Sequence, residues 1–368
     1  MKEERNYGID ALRIVSMLMI VMGHVLRFGG IITNNELSSA KYFMVWFLEA
    51  ACFVAVNCYA MISGYVGVGK QPKLSALMTM WLQVAGYSVA LVILMELLVP
   101  QRVNMSDWVT GLTPVINRKY WYFSAYFILF FMMPMLNEML LKASKKMLRK
   151  AITTTLILSV LLTSIAKWDV FEFVGGRSLI WLVLLYILGG YLKLYGAEEK
   201  WYRKLCQNGL WVYLGCAVGM ACLNSVFIRN GIALPLDIKL SHGYDLYSNM
   251  SMPVFLGSVA LFAFFSVRDP GKRMCKAISI LSPATFGVYI IHMQPNVWEI
   301  CLTDRYAWVT EFGVVRMSLG IFGISVLIYA VCTVIDLVRL MVFRILRVRD
   351  ICQLMVNLFD GMIVKINR

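Results

Sequence analysis

Apolar residues in this chain come in runs of about 20, separated by short polar intervals that recur every 25–40 residues. About 20 consecutive apolar residues in a helix are what it takes to cross the hydrocarbon of a bilayer. The runs predict spans at 10–30, 43–67, 77–99, 121–141, 151–168, 178–196, 209–228, 250–268, 277–299 and 313–343. The fifth is short, and the last is long enough to tilt or protrude. Beyond them Ile351, Leu354, Met355, Leu358, Phe359, Met362, Ile363 and Ile366 repeat at helical spacing, and Gln353, Asn357, Asp360 and Lys365 mostly fill the other face. That pattern predicts an amphipathic helix over 351–368, lying on the membrane surface or packed on the bundle. The expected fold is all-α: a polytopic membrane helix bundle of about ten transmembrane helices in one domain over 1–350, followed by the surface helix.

Composition narrows the class. Of 368 residues, 60% are hydrophobic and 15% charged, whereas soluble domains run at about 45–50% and about 25%. The net charge of +14 would suit nucleic acid, but the basic residues sit in short loops between spans, where topology accounts for them. With the N-terminus inside, 23 lysines and arginines fall on the inner side and 11 on the outer. Both termini are therefore expected in the cytoplasm, with membrane lipid rather than nucleic acid as a partner. The nine cysteines lie mostly inside apolar runs without a CxxC pair or zinc spacing, so no metal is implied. The N-terminus resembles a signal peptide, yet Asp10, Arg13 and His24 fall in or beside its apolar stretch and no small-residue cleavage site follows. It reads as the first span.

Ionisable residues inside a span are expensive and mark function or a structural pairing. Arg13 and His24 are eleven residues apart, about 16 Å along one helix face. Asp10, Ser16, Met17, Ile20 and Arg27 extend the same stripe, which must face the bundle interior or a wet cavity. The plainer alternative is an Asp10–Arg13 pair at the interface and a hydrogen-bonded buried histidine. The chain has three histidines. His24 and His292 fall at matched depth in the outer half of the membrane, on one cavity or on unrelated faces; His242 lies in the long outer loop 229–249 with Asp237, Tyr244, Asp245 and Tyr247. Aromatic faces beside polar groups suit sugar recognition, although tyrosines at a membrane interface need no ligand. On the inner side, Met61-Ile-Ser-Gly-Tyr65 is followed by Lys70 and Lys73, which suit either phosphate binding or ordinary topology. No GxxxxGKS, HExxH or GxSxG motif occurs.

Several segments resemble the acyltransferase family 3 membrane proteins. GIDALRIVSMLMIVMGH is similar to the family's first span, with an arginine and a histidine at the spacing of Arg13 and His24. NCYAMISGYVGVGK resembles its second-span segment, through Ser63, Gly64, Tyr65 and Lys70; KYWYFSAYFILFFMMP resembles its Trp-Tyr/Phe span, through Trp121, Tyr122, Tyr126 and Pro134. LLYILGGYL is similar to a glycine-bearing middle span, and SPATFGVYIIH to a Tyr-x-x-His pattern at Tyr289 and His292. The resemblance runs in order over about 7–295.

It implies a membrane O-acyltransferase of the bacterial plasma membrane, moving an acyl group, usually acetyl, from cytoplasmic acetyl-CoA to a hydroxyl of an extracytoplasmic or lipid-linked glycan. No cofactor would be permanently bound. Many members carry a fused extracytoplasmic hydrolase-like domain; here only the amphipathic helix follows, so direct transfer or a separate extracytoplasmic partner is expected. Arg13, Lys70 and Lys73 would hold the CoA phosphates, with Ser63 near the ligand. His24 would act as general base or briefly carry the acyl group, His292 would orient the acceptor or His24, and Trp121, Tyr122, Tyr126, Tyr289 and His242 would bind substrate. The competing readings are a transporter or channel for a small anionic or glycan-related solute, whose in-span charges would mark a pathway, and a sensor or membrane anchor without chemistry.

Overall fold

The computed structural model describes residues 5–34, 37–98, 103–113, 115–116, 120–165, 173–229 and 247–366. The described residues contain no β-strand. In chain order the helices are α1 (Tyr7–Phe28), α2 (Ser39–Phe53), α3 (Ala55–Gly67), α4 (Leu74–Leu98), α5 (Met105–Leu112), α6 (Trp121–Lys142), α7 (Lys145–Ile165), α8 (Leu179–Tyr195), α9 (Lys200–Leu223), α10 (Met252–Ser266), α11 (Lys272–Leu281), α12 (Thr285–His292), α13 (Pro295–Cys301), α14 (Val314–Ile345) and α15 (Val348–Ile366).

Among the described residues, eight stretches are long and apolar enough to cross a membrane, counting α2–α3 as one 29-residue crossing and α11–α12 as another. The two remaining expected spans are α7, whose first turn is basic, and α10, which has only 15 residues. At 1.5 Å per residue α10 is about 22 Å long, less than the hydrocarbon thickness of about 30 Å. It sits inside the bundle, with most of its residues buried. The ninth expected span is shorter than its apolar run. It stops at His292, because Gln294 is held extended before Pro295 and caps a separate α13 with its side chain on Val297 N.

Successive crossings run in opposite directions, so the N-terminus and α15 share one end. Asn6 donates to the Ser266 carbonyl (2.7 Å), Asn137 to those of Gly67 and Lys70 (both 2.9 Å), and Ser75 to the Gln353 side chain (2.8 Å). At the other end the carbonyls of Phe28 and Gly29 accept from the backbone of Asp304 (2.8 Å) and Tyr306 (2.9 Å). The first end carries the lysine and arginine surplus. On α15, Ile351, Leu354, Met355, Leu358 and Phe359 remain more than half exposed while Cys352 is buried.

Two contacts set the bundle's interior. At the crossing of α3 and α8, a Cβ on Gly64 would run into the backbone of Tyr186, and one on Gly189 into that of Met61. Small residues let the two backbones touch, the usual packing solution where lipid removes the hydrophobic drive between helices. The second contact is Asp336 on α14, fully buried. It accepts from Gln83 (3.1 Å), Tyr87 (2.8 Å) and Arg339 (2.7 Å). A Cβ at Gly287 would strike its carboxylate, so α12 is seated directly on this group. Asp336→Ala would leave Arg339 uncompensated, and a loss of about 3–5 kcal/mol is expected. Thermal unfolding of the purified variant, read by fluorescence-detected gel filtration, checks this; an unchanged Tm would remove Asp336 from the account.

Candidate active site

Asn6 caps α1, accepting from Ile9 N at 3.0 Å, and places Asp10 and Arg13 in the next turns. Asp10 is buried and binds Arg13 Nη1 (2.9 Å) and Arg5 Nε (2.5 Å). Ser282, just before α12, accepts from Arg13 (3.2 Å) and donates to Asp10 (3.1 Å). The in-span arginine is thus neutralised and oriented from two helices, and its side chain stays 28% exposed.

Arg13 stands between two cavities. One, of about 320 Å³, runs up the polar stripe of α1 past Met17 and Ile20 to His24; Tyr59, Ser63, Trp121, Tyr122, Tyr126 and Tyr289 also line it. The size fits the small-ligand range of roughly 300–1,000 Å³. The other, of about 330 Å³ at the basic end, is lined by Arg5, Asp10, Arg13, Tyr65, Lys70 and Lys193. Lys193 lies over the ring of Tyr65, 5.1 Å from its centroid.

At the far end of the first cavity, His24 Nδ1 and His292 Nε2 are 3.0 Å apart. His292 is fully buried, and its Nδ1 lies 2.6 Å from the Val288 carbonyl. A carbonyl only accepts, so this Nδ1 carries the proton. In the neutral ring His292 Nε2 is then a lone pair, and His24 must donate its Nδ1–H to it. That assignment, made from the hydrogen bonds, leaves His24 Nε2 as the unprotonated nitrogen of a histidine that lines the cavity. The pair has the form of a base held in one tautomer by a buried partner. Trp298 meets the His24 ring edge-on at 5.1 Å and Phe28 at 5.9 Å, covering it toward the outer end.

The structure brings together most of the residues singled out from sequence. His24 and His292 meet, but only His24 lines the cavity; His292 stands behind it. Trp121, Tyr122, Tyr126 and Tyr289 converge on the cavity, as does Ser63, whose hydroxyl donates to the Tyr59 carbonyl (3.1 Å). Lys70 lines the basic basin, whereas Lys73 lines neither cavity and is exposed before α4. Arg27, one turn beyond His24, leaves the stripe to pair with buried Glu49 (2.5 Å). His242 and most of the outer loop lie outside the described residues. Arg5, Lys193, Tyr59 and Trp298 were not legible beforehand: the first two look like ordinary inner-side charges, and the aromatics like interfacial packing.

A family profile described as an acyltransferase domain matches residues 6–337. No curated protein and no solved structure matches the chain. The matched region takes in every residue of both cavities except Arg5. A polytopic helical bundle whose in-span arginine and histidine line one cavity, matched over nearly its whole length, belongs to acyltransferase family 3 and is a multi-pass membrane acyltransferase.

Proposed function

We propose that this acyltransferase moves an acyl group, acetyl in the simplest case, from cytoplasmic acyl-CoA to a hydroxyl of an extracytoplasmic or lipid-linked glycan, in the bacterial plasma membrane. The observation that supports the reading is that Arg13 lines both the basic basin and the cavity that His24 lines at its far end. Arg5, Arg13, Lys70 and Lys193 would meet the phosphates of the nucleotide end. The pantetheine arm, two amide units and a thioethyl tail, is long enough to follow the roughly 16 Å from Arg13 to His24.

With the thioester beside His24, its Nε2 takes the proton of the acceptor hydroxyl as the oxygen attacks the thioester carbonyl. The C–S bond then breaks, and the departing CoA sulfur receives that proton. His292 supports the cationic His24 ring through the Nδ1 hydrogen bond, with its own Nδ1–H anchored on Val288. Transfer is direct in this scheme; a separate extracytoplasmic transferase would take the place of the hydroxyl without altering the donor half.

The test follows free CoA thiol from acetyl-CoA, using protein in nanodiscs with crude membrane glycolipid and cell-wall extract. Release by wild type that is lost in Arg13→Ala and His24→Ala supports the reading. Absence of both release and acetyl-CoA binding would overturn it and return the in-span charges to a transport pathway. Lys193→Glu is expected to raise KM for acetyl-CoA about tenfold or more, corresponding to about 1.4 kcal/mol. Lys73→Glu should stay within about twofold of wild type. Equal effects of the two substitutions would show that general surface charge, not the basin, attracts the donor.

A further inference from the structure

Transfer of an acyl group to a sugar hydroxyl and its loss to water call on the same base. A water molecule beside His24 Nε2 would be activated as readily as an acceptor hydroxyl, so the site must keep water out or the donor is wasted. From the basic end, water would be displaced by the donor itself. The outer end has to be closed by the protein, and two rings stand there.

The cavity ends at His24, and neither Phe28 nor Trp298 lines it. Phe28 follows His24 by one turn of α1, so it stands nearer the outer end. Trp298 on α13 meets the His24 ring edge-on, with centroids 5.1 Å apart, and meets the Phe28 ring in the same manner at 4.4 Å. Aromatic rings at these separations are in packed contact. Phe28 is 40% exposed. Its carbonyl accepts from the backbone of Asp304 (2.8 Å), which with Thr303 and Arg305 forms an exposed polar run. Rings of an ordinary interfacial belt border lipid; this pair has the base on one side and a polar segment beside it on the other.

The course of the chain is what places Trp298. α12 breaks off at His292, and Gln294 and Pro295 start a separate seven-residue helix. An uninterrupted span would have carried position 298 about 9 Å further outward than His292. Instead α13 is tied at both ends. Gln294 accepts from Val297 N (2.9 Å), and beyond the helix Asp304 N and Tyr306 N donate to the Phe28 and Gly29 carbonyls at the end of α1. Trp298 is thereby held over His24.

We propose that Trp298 and Phe28 form an outer seal that decides between transfer and hydrolysis, excluding water from His24 and yielding to the acceptor. The inference rests on the acyl-CoA reading above. With the seal broken, a water oxygen bonds to the thioester carbonyl carbon while His24 Nε2 takes one of its protons. The C–S bond then breaks and that proton passes to the sulfur, leaving acetic acid and CoA thiol.

The test measures acetate and CoA thiol formed from acetyl-CoA by wild type, Trp298→Ala and Phe28→Ala in nanodiscs, with and without the membrane glycolipid and cell-wall extract. Wild type should be slow without the extract. Each alanine variant should raise acceptor-independent hydrolysis about tenfold or more. KM for acetyl-CoA should stay within about threefold of wild type, because neither ring lines the donor cavity. Adding His24→Ala to Trp298→Ala should abolish the gain. Unchanged hydrolysis in both folded variants would overturn the seal. So would loss of hydrolysis and transfer together, which would make the rings a support for His24, and so would a wild type equally fast with and without extract. If Trp298→Ala does not fold, Phe28→Ala, which removes a partly exposed ring, decides alone. A wild type that neither cleaves nor binds acetyl-CoA would end the acyl-CoA reading and the seal with it. Wild-type transfer with unchanged hydrolysis in the variants rejects the seal alone.

Discussion

His24→Ala is expected to lower CoA thiol release by about 10²–10⁴-fold, the usual contribution of a positioned general base, while the protein remains monodisperse in detergent. Among the described residues, the His24 side chain hydrogen-bonds His292, and its ring meets those of Phe28 and Trp298. Its removal should therefore cost chemistry more than fold. His292→Ala is expected to be milder, about 10–10²-fold, through loss of orientation at His24. Because His292 lies behind His24 and does not line the cavity, KM for acetyl-CoA should hold while kcat falls, the signature of an interaction made in the transition state. Steady-state kinetics on both variants checks the assignment. A His24→Ala enzyme within a few-fold of wild type would remove the histidine from the mechanism. A larger effect at His292 than at His24 would reverse the two roles.

Gly64→Ala should be the most damaging single methyl group in the bundle. The new Cβ would meet the backbone of Tyr186 rather than the end of a side chain, so α3 and α8 must separate. Overpacking a well-filled interior costs about 1–3 kcal/mol, and backbone collisions belong at the upper end. The damage would spread, because the Tyr186 hydroxyl donates to Asn137 (2.8 Å), whose amide holds the carbonyls of Gly67 and Lys70. Moving α8 would also displace Lys193 from Lys70 across the basin. The expected outcome is a lower Tm, a lower yield and a raised KM for acetyl-CoA. Gly215→Ala on α9, where nothing lies within 4 Å of the new Cβ, should be neutral or slightly stabilising through helix propensity. If Gly64→Ala and Gly215→Ala unfolded alike, the close approach would not limit stability.

How far the site was legible depends on where the cost of a residue was visible. Arg13 and His24 stood out because charge and imidazole inside an apolar run demand an explanation wherever the helix packs. Their spacing on one face put them on a stripe facing the bundle interior or a wet cavity, and in the structure both line one cavity. Lys193 carried no such signal: a lysine in the last turn of a helix on the basic side is satisfied by topology alone. The same holds in reverse for Lys73, which looked equivalent to Lys70 but lines neither cavity. The matched depth of His24 and His292 left open whether they met, since depth fixes height in the bundle and says nothing about rotation.

The sequence by itself determined the fold class, the crossings and the basic end, because each follows from the local cost of placing a residue in hydrocarbon or at its surface. It also picked out the stripe on α1, because helical periodicity converts spacing into a shared face. Only the tertiary structure decided that His292 holds the tautomer of His24 and that Arg13 lines two cavities. These depend on how helices distant in the chain rotate and press together. That is set by contacts such as Gly64 on Tyr186 and Asp336 beneath Gly287, which no single segment contains.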